Sequence, residues 1–141
     1  MRTLYIKSAG VLLTLTALAK LAAAVSGPHI IGQHDPILGL QYRYEFWVIG
    51  LLELSIAFFC LFLRPCRLQY GLLAWLTGCF AVYRIGFWSI GMHFCPCLGN
   101  FSDAIHLSKE TANAITLGIL VYLLVGSFVG LIVPWVRESS K

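Results

Sequence analysis

Charge is what this sequence has least of. Ten Lys and Arg and six Asp and Glu make up 11% of its 141 residues, where a soluble domain carries about 25% charged residues. With 59% hydrophobic residues and a mean hydropathy of +0.82, too little polar surface remains to enclose a core in water. A water-soluble domain is therefore excluded. Long polar tracts are also missing, which excludes a disordered chain. No Ser-His-Asp set, Gly-rich phosphate loop or pair of catalytic carboxylates occurs, so hydrolases and nucleotide-dependent enzymes are poor candidates. The net charge of +4 is small and lies mostly on one side of the spans described next. It points to membrane topology, with no nucleic-acid partner.

Four apolar runs stand in place of the missing charge: 8–25, 46–63, 71–92 and 114–136. Each falls within the roughly 17–25 residues a helix needs to cross a bilayer. Backbone N–H and C=O groups in lipid must pair within their own segment, so these runs are helices, and the alternation of a β-barrel is absent. Residues 1–141 thus read as a single domain, an all-α, integral membrane four-helix bundle in contact with the lipid bilayer. The first run has a rival reading, since Arg2 and Lys7 followed by apolar 11–19 and small residues at 22–26 resemble a secretory signal peptide. Lys20 interrupts that run, and the expectation is a retained span.

Arg2, Lys7, Arg64, Arg67, Arg137 and Lys141 fall on one face if four helices cross, leaving Arg43 and Lys109 on the other. The positive-inside rule then places both termini and the 64–70 loop in the cytoplasm of a plasma (bacterial inner) membrane. The 26–45 and 93–113 segments face outside. In the first of these, Gly27-Pro28, Asp35-Pro36 and Gly39 break up any long helix, and Ile30, Ile31, Ile37, Leu38 and Leu40 should hold it over the helix ends. In the second, Ser102-Asp103 can cap a short helix, and Ser108 with Glu110 can cap the last span. Gly126 and Gly130 form a GxxxG spacing that allows close helix packing.

Of five cysteines, Cys60 and Cys79 lie inside spans and read as small apolar packing residues. Cys66 stands alone at the cytoplasmic edge between Arg64 and Arg67 and is assigned no role. Cys95 and Cys97 differ. They flank Pro96 just beyond an outward membrane edge, in a compartment where disulfides persist. A Cys-x-Cys bond suits only some backbone shapes, so it would be strained and readily exchanged. Three readings fit the pair. One is thiol–disulfide exchange, with His93 favouring the thiolate when protonated. A second is a permanent brace. The third is a metal site of His93, Cys95, Cys97 and His106, although that spacing is not a common zinc pattern and no second Cys pair accompanies it.

Three ionisable residues lie within the spans: Lys20, Glu53 and Arg84. Counted at about 1.5 Å per residue from the outer ends, they sit roughly 7, 10 and 12 Å deep and share one layer. Buried ionisable groups in membranes face the protein interior and pair with one another. The simplest arrangement sets Glu53 between the two cations, with Tyr83 or Ser55 in hydrogen-bonding reach. The layer is either a packing device or a polar pocket beneath the cysteines that could hold a quinone carbonyl or a transferred proton.

The order of these features resembles the DoxX/MauE-like membrane proteins. The landmarks are Ala19-Lys20-Leu21 at the end of the first helix, Asp35-Pro36-Ile37-Leu38-Gly39 in the outer segment and Gly50-Leu51-Leu52-Glu53 in the second helix. Cys95-Pro96-Cys97-Leu98-Gly99 is similar to the redox-associated MauE-like branch, and the resemblance spans roughly 11–133. It implies a four-helix bundle similar in layout to the vitamin K epoxide reductase fold. It also implies a link to disulfide formation in exported proteins, with Cys95 and Cys97 as the redox pair and Lys20 and Glu53 as intramembrane polar positions. The chain departs from the vitamin K reductase pattern in having Cys-x-Cys for Cys-x-x-Cys and no second outer pair, so a separate thioredoxin-like or exported thiol protein would be the partner. The expectation is a thiol–disulfide oxidoreductase at the extracytoplasmic face. The competing expectation is a non-enzymatic accessory subunit of a larger membrane complex, with the cysteines bracing a loop.

Overall fold

The computed structural model describes residues 2–26, 34–64, 66–91 and 108–139. They form four helices: α1 Arg2–Ser26, α2 Tyr42–Phe62, α3 Arg67–Ser89 and α4 Lys109–Ser139. No strand occurs among the described residues beyond an isolated antiparallel bridge between His34 and Gln41. All four helices are long and apolar enough to cross a membrane, over Thr3–Val25, Tyr42–Phe62, Arg67–Ser89 and Glu110–Ile132.

Most of the helix ends reach several residues beyond the apolar runs, because local hydrogen bonds stabilise turns that hydropathy does not mark. At α3, Cys66 and Gln69 form a reciprocal capping box. Gln69 is buried and also donates from Nε2 to the Phe59 carbonyl at 2.7 Å, which ties α3 to the last turn of α2. At α4, the Thr111 N–H donates to Ser108 Oγ at 3.2 Å, the cap expected from the sequence, with Glu110 in the first turn. Helix α2 stops at Phe62 ahead of Arg64-Pro65, since the residue before a proline disfavours helical backbone.

Successive helices run antiparallel. Gly10 lies against Leu61 and Cys60, and Gly50 against Leu21 and Ala17. Arg84 meets Asn113 near the start of α4, whereas Tyr70 meets Gly130 further along it. Tyr5 returns to α4, donating to the Leu123 carbonyl at 2.7 Å and lying 3.0 Å from Ser127 Oγ. One end of the bundle therefore carries the start of α1 and the α2–α3 connection. The other, here the distal end, carries residues 34–41 and the start of α4.

Two apolar clusters fill the interior. Ile6, Leu13, Ile56, Cys60, Tyr70, Leu73, Leu76 and Leu123 pack in the half nearer the start of α1. Ala23, Ala24, Tyr42, Phe46 and Phe87 pack at the distal end. The outer surface is apolar as well, with Leu15, Val48, Trp75, Val82 and Val125 all at least half exposed. A soluble bundle would place polar residues at those positions, and here the bilayer is the solvent that accepts them. Cys60 takes the packing role expected of it, but Cys79 is exposed on the outside of α3 and adds nothing to the core.

Candidate functional site

The buried polar groups lie between and beside the two apolar clusters. Lys20 of α1 and Glu53 of α2 come together because the antiparallel register that sets Ala17 and Leu21 against Gly50 also sets residue 20 against 53. Lys20 Nζ lies 2.6 Å from Glu53 Oε1, and the side chains are only 7% and 1% exposed. Thr16 Oγ1 donates to Glu53 Oε2 at 3.3 Å, and the Phe80 ring of α3 stands over Lys20 Nζ with its centroid 5.2 Å away. Three helices thus solvate one ion pair, by charge, hydroxyl and aromatic face.

The expected sandwich of Glu53 between two cations does not form. Arg84 is buried, but its Nη2 donates to the backbone carbonyl of Asn113 at 3.2 Å and also to the Asn113 side-chain oxygen. Trp88 lies one turn further along α3, its ring centroid 6.0 Å from the guanidinium carbon. The reason is azimuthal: at residue 84 the helix turns this side chain toward α4, away from the α1–α2 interface. Neither expected hydroxyl serves Glu53. Ser55 donates to the Leu51 carbonyl of its own helix at 2.8 Å, and Tyr83 turns to the distal loop.

That loop carries a second polar cluster. Asp35 Oδ1 accepts the backbone N–H groups of Ile37 at 2.6 Å and Leu38 at 3.1 Å, while its Oδ2 accepts the Tyr83 hydroxyl of α3. The Gly39 N–H closes onto the Asp35 carbonyl at 2.8 Å, and Gly39 has φ +68°, a left-handed conformation that glycine adopts without strain. Ile37 reaches Gly86 of α3, so the motif Asp35-Pro36-Ile37-Leu38-Gly39 lies over the helix ends as expected, although Ile37, Leu38 and Leu40 all remain exposed. Asp35 and Glu45 are both buried at this end of the bundle, and Glu45 Oε1 has no hydrogen-bond partner there.

Burial raises the Asp35 carboxyl, but the hydrogen bonds from Tyr83, Ile37 and Leu38 outweigh it and hold the group below its ordinary 3.8. A depressed carboxyl stabilises the folded loop above its unfolded value, and that contribution disappears as pH falls through the lower, folded value. Acidification below 3.8 is accordingly expected to loosen residues 34–41. Amide exchange at Ile37 and Leu38 should accelerate there, beyond the intrinsic pH effect. Unchanged protection under acid would show that the Asp35 turn does not hold the loop.

The remaining expected site residues, His93, Cys95, Cys97 and His106, lie outside the described residues, as do Ile30, Ile31 and the Ser102-Asp103 cap. Among the described residues no group of three or more His, Cys, Asp or Glu could hold a metal ion. Glu45, Asn113 and Gln69 were not singled out in the sequence, and Asp35 stood out only as part of a turn and of a family landmark. Asp35 and Glu45 stand ten residues apart across a turn, with no periodicity to bury both at one end.

Among the described residues these features define a helical membrane protein with four candidate membrane-spanning helices and buried polar groups between them. Comparison with protein-family models, curated proteins and solved structures gave no match.

Proposed function

We propose that this protein carries out thiol–disulfide exchange at the extracytoplasmic face of a plasma (bacterial inner) membrane, through Cys95 and Cys97. The observation that carries the reading is the position of Cys95-Pro96-Cys97 in the sequence. It falls in the connection between α3 and α4, which joins helices at the distal end of the bundle, opposite the Arg64 and Arg67 connection. The six-to-two bias of basic residues makes that end extracytoplasmic. The resemblance to the DoxX/MauE-like proteins, and to the layout of vitamin K epoxide reductase, points the same way.

In the exchange, a thiolate of the reduced pair attacks a disulfide of a thioredoxin-like or exported protein. An S–S bond forms between the two proteins and the partner's second sulfur leaves as thiolate. The other cysteine of the pair, as thiolate, then attacks its neighbour. The Cys95–Cys97 disulfide forms, the partner leaves as a dithiol, and two electrons have passed to it. The reverse sequence oxidises a partner dithiol. The Lys20–Glu53 pair lies deeper in the same half and is assigned a structural part. Glu53→Gln should lower thermal stability while leaving exchange turnover per folded molecule unchanged.

Alkylation of Cys95 and Cys97 in native membranes, before and after mild reductant, tests the proposal. The expected outcome is a partly reduced pair that shifts with redox buffer, and a mixed disulfide trapped by Cys97→Ser. A pair that is fully oxidised and resists reduction would overturn the reading and leave the cysteines as a loop brace in an accessory subunit.

A further inference from the structure

We propose that Arg84 binds the phosphate of an anionic phospholipid, between the distal ends of α3 and α4. A guanidinium keeps its charge and offers five N–H donors in a fixed fork. Arg84 is only 4% exposed, and both of its hydrogen bonds leave from Nη2, to the backbone carbonyl of Asn113 at 3.2 Å and to the Asn113 side-chain oxygen. Its Nε is buried and has no hydrogen-bond partner. Both acceptors are neutral. Lys20, also buried, instead lies 2.6 Å from the Glu53 carboxylate. A buried cation with an idle donor and no counter-charge is costly, so the protein alone leaves this site incomplete.

No carboxylate among the described residues supplies the missing charge. Glu53 is committed to Lys20, and Asp35 accepts from Tyr83, Ile37 and Leu38. Glu45 makes no ion pair with Arg84, and Glu110 is exposed in the first turn of α4. The ligand that completes the site is therefore an anion with an acceptor oxygen for the Nε–H.

Position selects the chemical class. Arg84 is five residues short of Ser89, where the α3 span ends, a depth of about 7.5 Å. Asn113 lies in the first turn of the α4 span, which begins at Glu110. This is the level where lipid phosphates meet the hydrocarbon. Trp88 marks it too: its ring centroid is 6.0 Å from the guanidinium carbon, and its side chain is 48% exposed, as an indole at the headgroup level should be. The neighbouring outward residues Ile85 and Ile115 are apolar and exposed, a surface for acyl chains and a poor one for a hydrated free ion. The start of α4 adds the positive end of its dipole. Rotation of the half-exposed Trp88 uncovers the guanidinium, and a phosphate oxygen then accepts the Nε–H. A net anionic lipid is favoured because it brings no ammonium of its own beside the arginine. Lipid retention does not depend on the cysteine chemistry, so the two proposals fail separately.

The test is native mass spectrometry of the full chain in mild detergent, titrated with phosphatidylglycerol or with phosphatidylcholine of the same acyl chains. The wild type should retain phosphatidylglycerol in preference to phosphatidylcholine, and excess inorganic phosphate should leave that lipid in place. Arg84→Gln should weaken retention about tenfold or more, the loss expected when a hydrogen bond to a charged group is removed. Arg43→Gln removes an exposed positive charge from the same end of the bundle and should retain the lipid as the wild type does. Should Arg84→Gln fail to fold, Arg84→Lys keeps the charge without the Nε donor and should still lose about tenfold. Equal retention of the two lipids, displacement by inorganic phosphate, or an equal loss in Arg43→Gln and Arg84→Gln overturns the proposal. So does retention unchanged in the folded Arg84 variant.

Discussion

Lys20→Met is expected to destabilise the folded bundle by about 3–5 kcal/mol, because it leaves the Glu53 carboxylate buried without its partner. The ammonium and carboxylate are 2.6 Å apart and nearly inaccessible, so neither can turn to water when the other is removed. Glu53→Leu strands the ammonium against the Phe80 ring and should cost a similar amount. The double variant Lys20→Met with Glu53→Leu removes both charges together and replaces them with apolar side chains of comparable length. It should recover most of the loss, since a buried ion pair is weak evidence of net stabilisation while a broken one is costly. Thermal or denaturant unfolding in detergent micelles measures the cycle. If the double variant lost the sum of the two single losses, the side chains would be acting independently and the pair would have no coupling to explain.

The second large effect comes from α4. A Cβ on Gly126 would sit 2.1 Å from Tyr5 Cε2, and one on Gly130 would sit 2.1 Å from Tyr70 Cε1. Both rings are held. Tyr5 is hydrogen-bonded to Leu123 and Ser127 and stacks on Tyr70 with ring centroids 6.0 Å apart and planes 6° from parallel. Gly126→Ala must push Tyr5 off those bonds, so overpacking and the lost hydrogen bonds together should cost about 2–4 kcal/mol. Gly130→Ala should behave similarly through Tyr70. Gly118 lies on the same helix with nothing within 4 Å of its Cβ position, and Gly118→Ala should be neutral or stabilising by up to about 1 kcal/mol. Equal unfolding midpoints for Gly118→Ala and Gly126→Ala would refute the assignment of the GxxxG face to Tyr5 and Tyr70.

The Gly126 and Gly130 spacing illustrates what was legible before the fold was known. A small-xxx-small pattern states that something approaches the helix closely, and it does. It cannot state what approaches, and the occupant is a pair of tyrosines from α1 and α3 of the same chain. Lys20, Glu53 and Arg84 give the same lesson in another form. Their depth follows from counting residues along a helix, and all three are buried as expected. Their partners depend on the direction in which each side chain leaves its helix and on which helix stands there. Lys20 found Glu53, whereas Arg84 found Asn113, a neutral residue that hydropathy had placed outside the last span. The burial of the distal carboxyl groups was illegible for a further reason. Asp35 had meaning in the sequence as part of a turn and of a family landmark, and only the fold of the loop set it against the Tyr83 hydroxyl and buried it and Glu45 at one end of the bundle.

Helicity, the four segments fit to cross a membrane and the burial of Lys20, Glu53 and Arg84 were all readable along the chain. These follow from composition and from runs of apolar residues, quantities that accumulate along the chain and depend on no neighbour in space. It took the packed bundle to pair Lys20 with Glu53, hold Arg84 at Asn113, fill the small-residue groove with Tyr5 and Tyr70, and bury Asp35 under the Tyr83 hydroxyl at the distal end. Hydrogen bonds and ion pairs act over about 3 Å, a precision set by helix rotation and register, which one-dimensional periodicity does not carry.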